Sequence, residues 1–405
     1  MPPTTANSPL RNRAFRRVWA GATISSAGDS ASWIALVALS LTTLHASLPV
    51  LAALYTAPVA VGGLFSGWAL DRFDRRLLLI VDSLLRGAVF ATLPLAAALG
   101  HLTAVHLYVV AATYGALKMT SLAGFPSVIP SLVPSEMLNK ANALEGVSFG
   151  LASLSGAALA GVAIASIGPA PVVAVDAATY FVFALVLLSV RFGAAGDDSP
   201  EAIVDIRQSG FGPLLREAIR HPLLRDLTVM FALFNVGDGA LLVILPHRAI
   251  GLGLGAGGYG WFVAAATGGE LVASVLLVRW DWPFSLPRSI VVAQLAAGSL
   301  VLGLIANSAL VATAVLFAFG VCTAPMTAWA QTLRMTAVRP EHRGRLFALL
   351  RTAMQATPPL GAGLAAAVLS RGIPAAVLAI AGCMSLPAVA FAPDLLRRAP
   401  HTEGP

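Results

Sequence analysis

Long apolar runs separated by short clusters of charge set the pattern of this chain. The first extends from Val18 to about Leu44, after Arg11, Arg13, Arg16 and Arg17. It is too long for a signal-peptide core and has no A-x-A cleavage pattern, so it is expected to stay in the protein. Stretches of about 20 apolar residues, the length that crosses a bilayer core, predict helices near 18–44, 48–70, 77–99, 104–125, 141–167 and 171–190. A second set is predicted near 227–246, 257–278, 286–305, 309–332, 346–369 and 373–391. Pro and Gly recur inside these runs, which interrupts membrane helices without ending them.

Charge supplies an orientation. Of 26 Lys and Arg, all but five fall before the first run or in alternate connections, including Arg72, Arg75, Arg76, Lys140, Arg191, Arg279, Arg343, Arg345 and Arg398. Arg248 and Arg371 lie in the opposite loops; Arg86, Lys118 and Arg351 lie within spans. Basic residues are retained in cytoplasmic loops, so both termini are expected inside. Between 191 and 222 the apolar pattern breaks at Gly196, Asp197, Asp198, Ser199 and Pro200. It then resumes with Phe211, Leu214, Leu215, Ala218 and Ile219 at helical spacing. A linker with an amphipathic helix on the membrane surface is expected here, the alternative being a disordered loop.

The two sets repeat weakly. Gly28 and Asp29 recur as Gly237 and Asp238, each Asp twelve residues past Arg17 or Asp226, or about 18 Å along a helix, near the bilayer midplane. Pro134 and Glu136 foreshadow Pro340 and Glu341. Duplicated halves around a midplane site are a transporter design. The predicted fold is an all-α membrane protein with twelve transmembrane helices in two pseudo-symmetric six-helix bundles, residues 1–190 and 223–405, joined by the linker 191–222.

Composition agrees. In 405 residues 57% are hydrophobic and 11% charged, against roughly 45–50% and about 25% in soluble domains, and mean hydropathy is +0.81. A net charge of +7 would suggest nucleic acid in a soluble protein; here its placement in loops accounts for it. Cys322 and Cys383 lack C-x-x-C spacing, and the seven histidines lack ligand-like spacing, so no metal or cofactor is expected. Gly146 to Gly150 fits G-x-S-x-G, but inside an apolar helix rather than at a strand-to-helix turn. Gly253 to Gly258 fits G-x-G-x-x-G without a βαβ unit. Neither lysine follows a glycine, so no phosphate-binding G-K-[ST] element exists. An enzyme is not expected.

Gly67, Trp68, Ala69, Leu70, Asp71, Arg72, Phe73, Asp74, Arg75 and Arg76 stand between the second and third runs. They resemble the G-x-x-x-D-R-x-G-R-R loop signature of the major facilitator superfamily, with Asp74 in place of the second glycine. Leu10, Asn12, Phe15, Arg16 and Trp19, the pair Asp82 and Arg86, and the turn Arg343, Gly344, Arg345 narrow the resemblance to the drug:proton antiporter branch that includes macrolide efflux proteins and the enterobactin exporter. One departure is Ala157 after Gly156, where exporters of the superfamily often carry Gly-Pro. The resemblance implies a conformational latch in which Asp71 accepts hydrogen bonds near Gly344 and Arg345, at a helix start that favours an anion. Arg72, Arg75 and Arg76 would brace it, against Glu136 or Glu145. The alternative is that these arginines only enforce topology.

Ionised groups in the hydrocarbon are costly, so each needs a partner, water or neutralisation. Asp82 and Arg86 share a helical face and can pair, as a structural ion pair or as part of coupling. Glu145 falls near the cytoplasmic surface. Asp176, five residues past Pro171, is expected near the outer surface in a capping or packing role. Asp29, Asp238 and Glu270 remain near mid-depth as candidates for proton coupling or substrate binding, with Asp29 first; the alternative for each is a neutral acid or paired charge joining two helices. Lys118 and Arg351 are the cations expected to face a cavity, although snorkelling also explains Arg351. Trp33, Tyr55, Tyr114 and Trp329 could line an amphipathic pocket. The functional expectation is export of a hydrophobic or amphipathic small molecule in exchange for protons, by a monomer in the bacterial inner membrane, without nucleic acid. An uptake or facilitative carrier and a non-transporting sensor or scaffold are the alternatives.

Overall fold

The computed structural model describes residues 8–190, 220–279, 284–337, 350, 354 and 356–398. The described residues form twelve long helices and short 3-10 and π turns, with no strand. In chain order the helices are α1 (Arg13–Ala38), α2 (Leu48–Arg72), α3 (Arg75–Ala98), α4 (Ala104–Val128), α5 (Leu138–Ile167) and α6 (Pro169–Ser189). They continue as α7 (Pro222–Gly251), α8 (Gly258–Arg279), α9 (Leu286–Leu300), α10 (Ala309–Ala337), α11 (Pro358–Leu369) and α12 (Ile373–Arg398). Among the described residues nine helices are long and apolar enough to cross a membrane, and α2 and α11 carry shorter apolar stretches. Polar residues along α4, among them His106, Tyr108, Tyr114 and Lys118, keep it out of both groups.

Most predicted helix ends lie within a few residues of the observed ones. The start of the eleventh, predicted at 346, lies outside the described residues; the other larger differences come from polar residues that helices retain. The seventh starts at Pro222, taking in Asp226, which is buried and paired with Arg225 at 2.8 Å. The twelfth runs through Pro393 to Arg398. The predicted linker helix, with residues 191–219, lies outside the described residues.

The chain divides into two compact units, residues 1–202 and 203–405. Within the first, α1 packs on α5 and α6, α2 on α4, and α3 on α4 and α6. The second repeats the scheme: α7 on α11 and α12, α8 on α10, and α9 on α10 and α12. Glycine makes these approaches close. A Cβ at Gly62 would strike the Ala116 carbonyl and one at Gly115 the Tyr55 carbonyl; Gly269 and Gly320 meet Phe317 and Ala266 the same way. Gly156 similarly lies against the Ala27 carbonyl of α1, and Gly361 against the Val236 carbonyl of α7.

The residues that lead into α1 act as its anchor. Asn12 accepts from the amides of Ala14 and Phe15, capping the helix, and donates to the Leu132 carbonyl at 2.7 Å. Phe15 and Val18 are fully buried among Leu79, Phe125, Ile129 and Leu187. Trp19 donates to Ser148 Oγ at 2.8 Å, so the serine of the G-x-S-x-G match is a packing partner inside the continuous helix α5. Gly253 and Gly255 of the G-x-G-x-x-G match adopt positive φ in the turn between α7 and α8.

Candidate functional site

Arg86 is the centre of a charge network inside the first unit. Arg86 stands about 16 Å from the start of α3 and Tyr180 about 16 Å from the start of antiparallel α6, so the network occupies the middle of the bundle. The guanidinium is 1% exposed. Its Nε lies 3.1 Å from Asp82 Oδ2, one helical turn back, and its Nη1 lies 3.7 Å from Asp29 Oδ1 of α1. Nη2 donates to the Leu117 carbonyl of α4 at 2.9 Å. The rings of Tyr114 and Tyr180 flank it, with centroids 5.2 and 5.6 Å from the guanidinium carbon. Tyr180 donates its hydroxyl to Asp29 Oδ1.

Asp176 adjoins this network, about 10 Å along α6 from its start. It is 1% exposed, accepts from Ser32 Oγ of α1 and from Thr179 Oγ1 at 3.1 Å, and lies within electrostatic reach of Asp29 and Arg86. The bundle closes around it because α1 presents Gly28 at that level: a Cβ there would collide with the Asp176 carboxylate and the Thr179 hydroxyl. The spacing of Asp176 and Tyr180, one turn apart on an otherwise apolar helix, was the available signal.

An aromatic ladder adjoins the network. Trp33 packs on Tyr55 at 4.2 Å between centroids, and Tyr55 stacks on Tyr114 at 4.9 Å. Lys118, one turn beyond Tyr114, holds its Nζ 5.2 Å from the Tyr55 ring centre. Trp329 is buried in the second unit.

Asp238 and Glu270 are brought near each other in the second unit, within electrostatic reach, both with exposed side chains. Thr323 of α10 donates to Glu270 Oε1 at 3.4 Å. Beside Gly237 the second unit sets the apolar Met384, where Gly28 meets Asp176 and Thr179.

Of the predicted latch, Arg75 donates to the Ser127 carbonyl at 3.0 Å, and Arg76 donates to the Leu187 and Leu188 carbonyls at 2.9 and 3.0 Å. Both therefore tie the start of α3 to the last turns of α4 and α6, where carbonyls favour cations. Arg72 lies over the Trp68 ring at 5.9 Å. Asp74 caps α3 through the Leu77 amide at 2.7 Å, which accounts for an acid where the signature has glycine. Gly67 and Asp71 fall in the last turns of α2, with side-chain surroundings outside the described part; Gly344, Arg345 and Arg351 lie outside the described residues. Among the described residues no cluster of His, Cys, Asp or Glu could hold a metal.

Duplicated helical bundles with a buried charge network at mid-depth define a membrane transporter of the secondary type. The chain belongs to the Major Facilitator Superfamily, whose family model matches residues 18–362. It is 26% identical over 351 residues to the uncharacterised MFS-type transporter y4rN of Sinorhizobium fredii, covering 84% of this chain and 85% of that one. It is 25% identical over 377 residues to the uncharacterised MFS-type transporter YfiS of Bacillus subtilis, covering 84% and 83%. Among solved structures it resembles the nucleoside transporter NupG, with a TM-score of 0.75 at 8% identity over 95% of this chain and 99% of that one. It also resembles a bacterial homologue of the human lysosomal transporter Spinster in an inward-facing, occupied conformation, with a TM-score of 0.67 at 15% identity over 97% and 96%. These two likenesses bear on the fold alone.

Proposed function

We propose that this chain exports a hydrophobic or amphipathic small molecule, such as a drug, an antibiotic or a siderophore, from a bacterial cell across the inner membrane in exchange for protons. The observation that supports the reading is Asp29, whose partly exposed carboxylate meets both Arg86 and Tyr180 at the middle of the first bundle. A carboxyl placed between water and a buried guanidinium is a group that alternating access can present to either side of the membrane. Asp238 and Glu270 are candidate coupling or cargo groups of the second unit, and Lys118 and Arg351 candidate cations of the pathway. The loop from Gly67 to Arg76 is the latch, closing onto Gly344 and Arg345 from the cytoplasmic side, where both termini lie. The transporter works as a monomer whose partners are cargo, protons and the bilayer.

The test uses the purified full chain in liposomes with an imposed pH gradient, probed with a macrolide and a lipophilic cation as cargo. Cargo-dependent proton movement, abolished in Asp29→Asn, is expected. Flux independent of the gradient would indicate a facilitative carrier, and full coupling in Asp29→Asn would remove Asp29 from its role.

A further inference from the structure

The Arg86 network and its surroundings bring together three carboxyls and one guanidinium, with Asp82, Asp176 and Arg86 buried and Asp29 partly exposed. Asp82 and Asp29 lie against Arg86, at 3.1 and 3.7 Å. Asp176 is 1% exposed, and its partners among the described residues are hydroxyls, Ser32 and Thr179. The charged and titratable groups within electrostatic reach of it are Asp29 from α1, Arg86 from α3 and Tyr180 on its own helix. Glu145 and Lys140 of α5 lie near the start of that helix, toward the end of the bundle that carries the N-terminus.

Three ionised carboxylates with one guanidinium would leave two charges uncompensated; the partly exposed Asp29 can give one of them to water, but a second, on the buried Asp176, is strongly unfavourable in a low-dielectric interior. Counted from the start of its helix, Ile380 of α12 stands where Asp176 stands in α6, and it is 1% exposed, so the repeat carries an uncharged side chain at that position. An acid at Asp176 is therefore not demanded by the fold.

We propose that Asp176 is a proton-binding residue of this site, neutral in the closed bundle while Asp29 and Asp82 share the Arg86 cation. A protonated carboxyl keeps acceptor capacity for the Ser32 and Thr179 hydroxyls and gains a donor of its own. The same two hydroxyls remain as donors to the anion once water enters, so the seat suits both forms. Use of this proton in transport rests on the antiport reading; its presence on Asp176 does not.

The experiment is pH-difference infrared spectroscopy of the purified full chain in liposomes, with aspartate labelled by carbon-13 at the side-chain carboxyl. A protonated-carboxyl C=O band is expected at neutral pH, lost in Asp176→Asn and retained in Asp82→Asn. Ser32→Ala keeps Asp176 but removes one hydroxyl, so the band is expected to move to higher wavenumber; this variant carries the test if Asp176→Asn does not fold. Absence of the band in the unmutated chain, its persistence in Asp176→Asn, or an unmoved band in Ser32→Ala would overturn the proposal. A band that behaves as expected beside vesicles without cargo-linked proton movement would sink antiport and leave this assignment standing. Antiport without the band would do the reverse.

Discussion

Replacing Arg86 by alanine removes the only guanidinium that the first unit places against Asp29 and Asp82 among its described residues. Asp82 is 5% exposed, and its Oδ1 already lacks a hydrogen-bond partner, so water cannot readily compensate the charge left behind. Removing one member of a buried pair costs about 3–5 kcal/mol, chiefly because the other is stranded. The bond to the Leu117 carbonyl and the two ring contacts are lost as well. For a unit of roughly 200 residues, at about 2–4 °C per kcal/mol, the unfolding midpoint should fall by about 6–20 °C. Thermal unfolding of the full chain in detergent, followed by tryptophan fluorescence, reads this, since Trp33 packs on Tyr55 beside the network. The double variant Arg86→Ala with Asp82→Asn removes the stranded charge and should recover about half of the loss, as groups in one network are non-additive. A midpoint within about 2 °C of the unmutated chain for Arg86→Ala, or a double variant worse than the single, would refute an electrostatic role for this cluster in stability.

Other substitutions probe different links. Gly156→Ala forces a Cβ onto the Ala27 carbonyl and is expected to cost about 1–3 kcal/mol. Gly146→Ala, in the same helix with nothing near its Cβ, should be neutral or slightly stabilising by the same thermal assay. Arg248→Ala removes hydrogen bonds to the Ile305 and Ala306 carbonyls and Asn307 Oδ1, all beyond the end of α9, and should lower stability by about 1.5–3 kcal/mol without changing proton coupling in vesicles. Asp71→Asn should reduce transport at unchanged surface expression if the loop is a latch; transport at the normal rate would leave its arginines as tethers of helix ends.

The helices were legible in the sequence because a membrane-crossing backbone must satisfy its hydrogen bonds within each helix, so an apolar run of the right length has few other structures open to it. The Asp82 and Arg86 pair was legible for a similar reason, since both ends lie on one helix at a fixed spacing. Asp176 was not. Its depth along α6 could be counted, but the face of α1 that meets it depends on how closely two helices approach, and that rests on Gly28. Tyr114 was read as a pocket aromatic rather than a flank of Arg86 because ring-to-cation contacts join residues remote in sequence. Asn12, Phe15 and Trp19, quoted for their resemblance to a family pattern, have a plain physical use: they cap α1, fill its foot and tie it to α5.

Where α2 meets α4, and again where α8 meets α10, glycines bring backbone against backbone, leaving little slack at those points. Each such couple therefore behaves as a single plank during transport. Whatever flexing the cycle demands must be found at other seams, where larger side chains can slide or change rotamer.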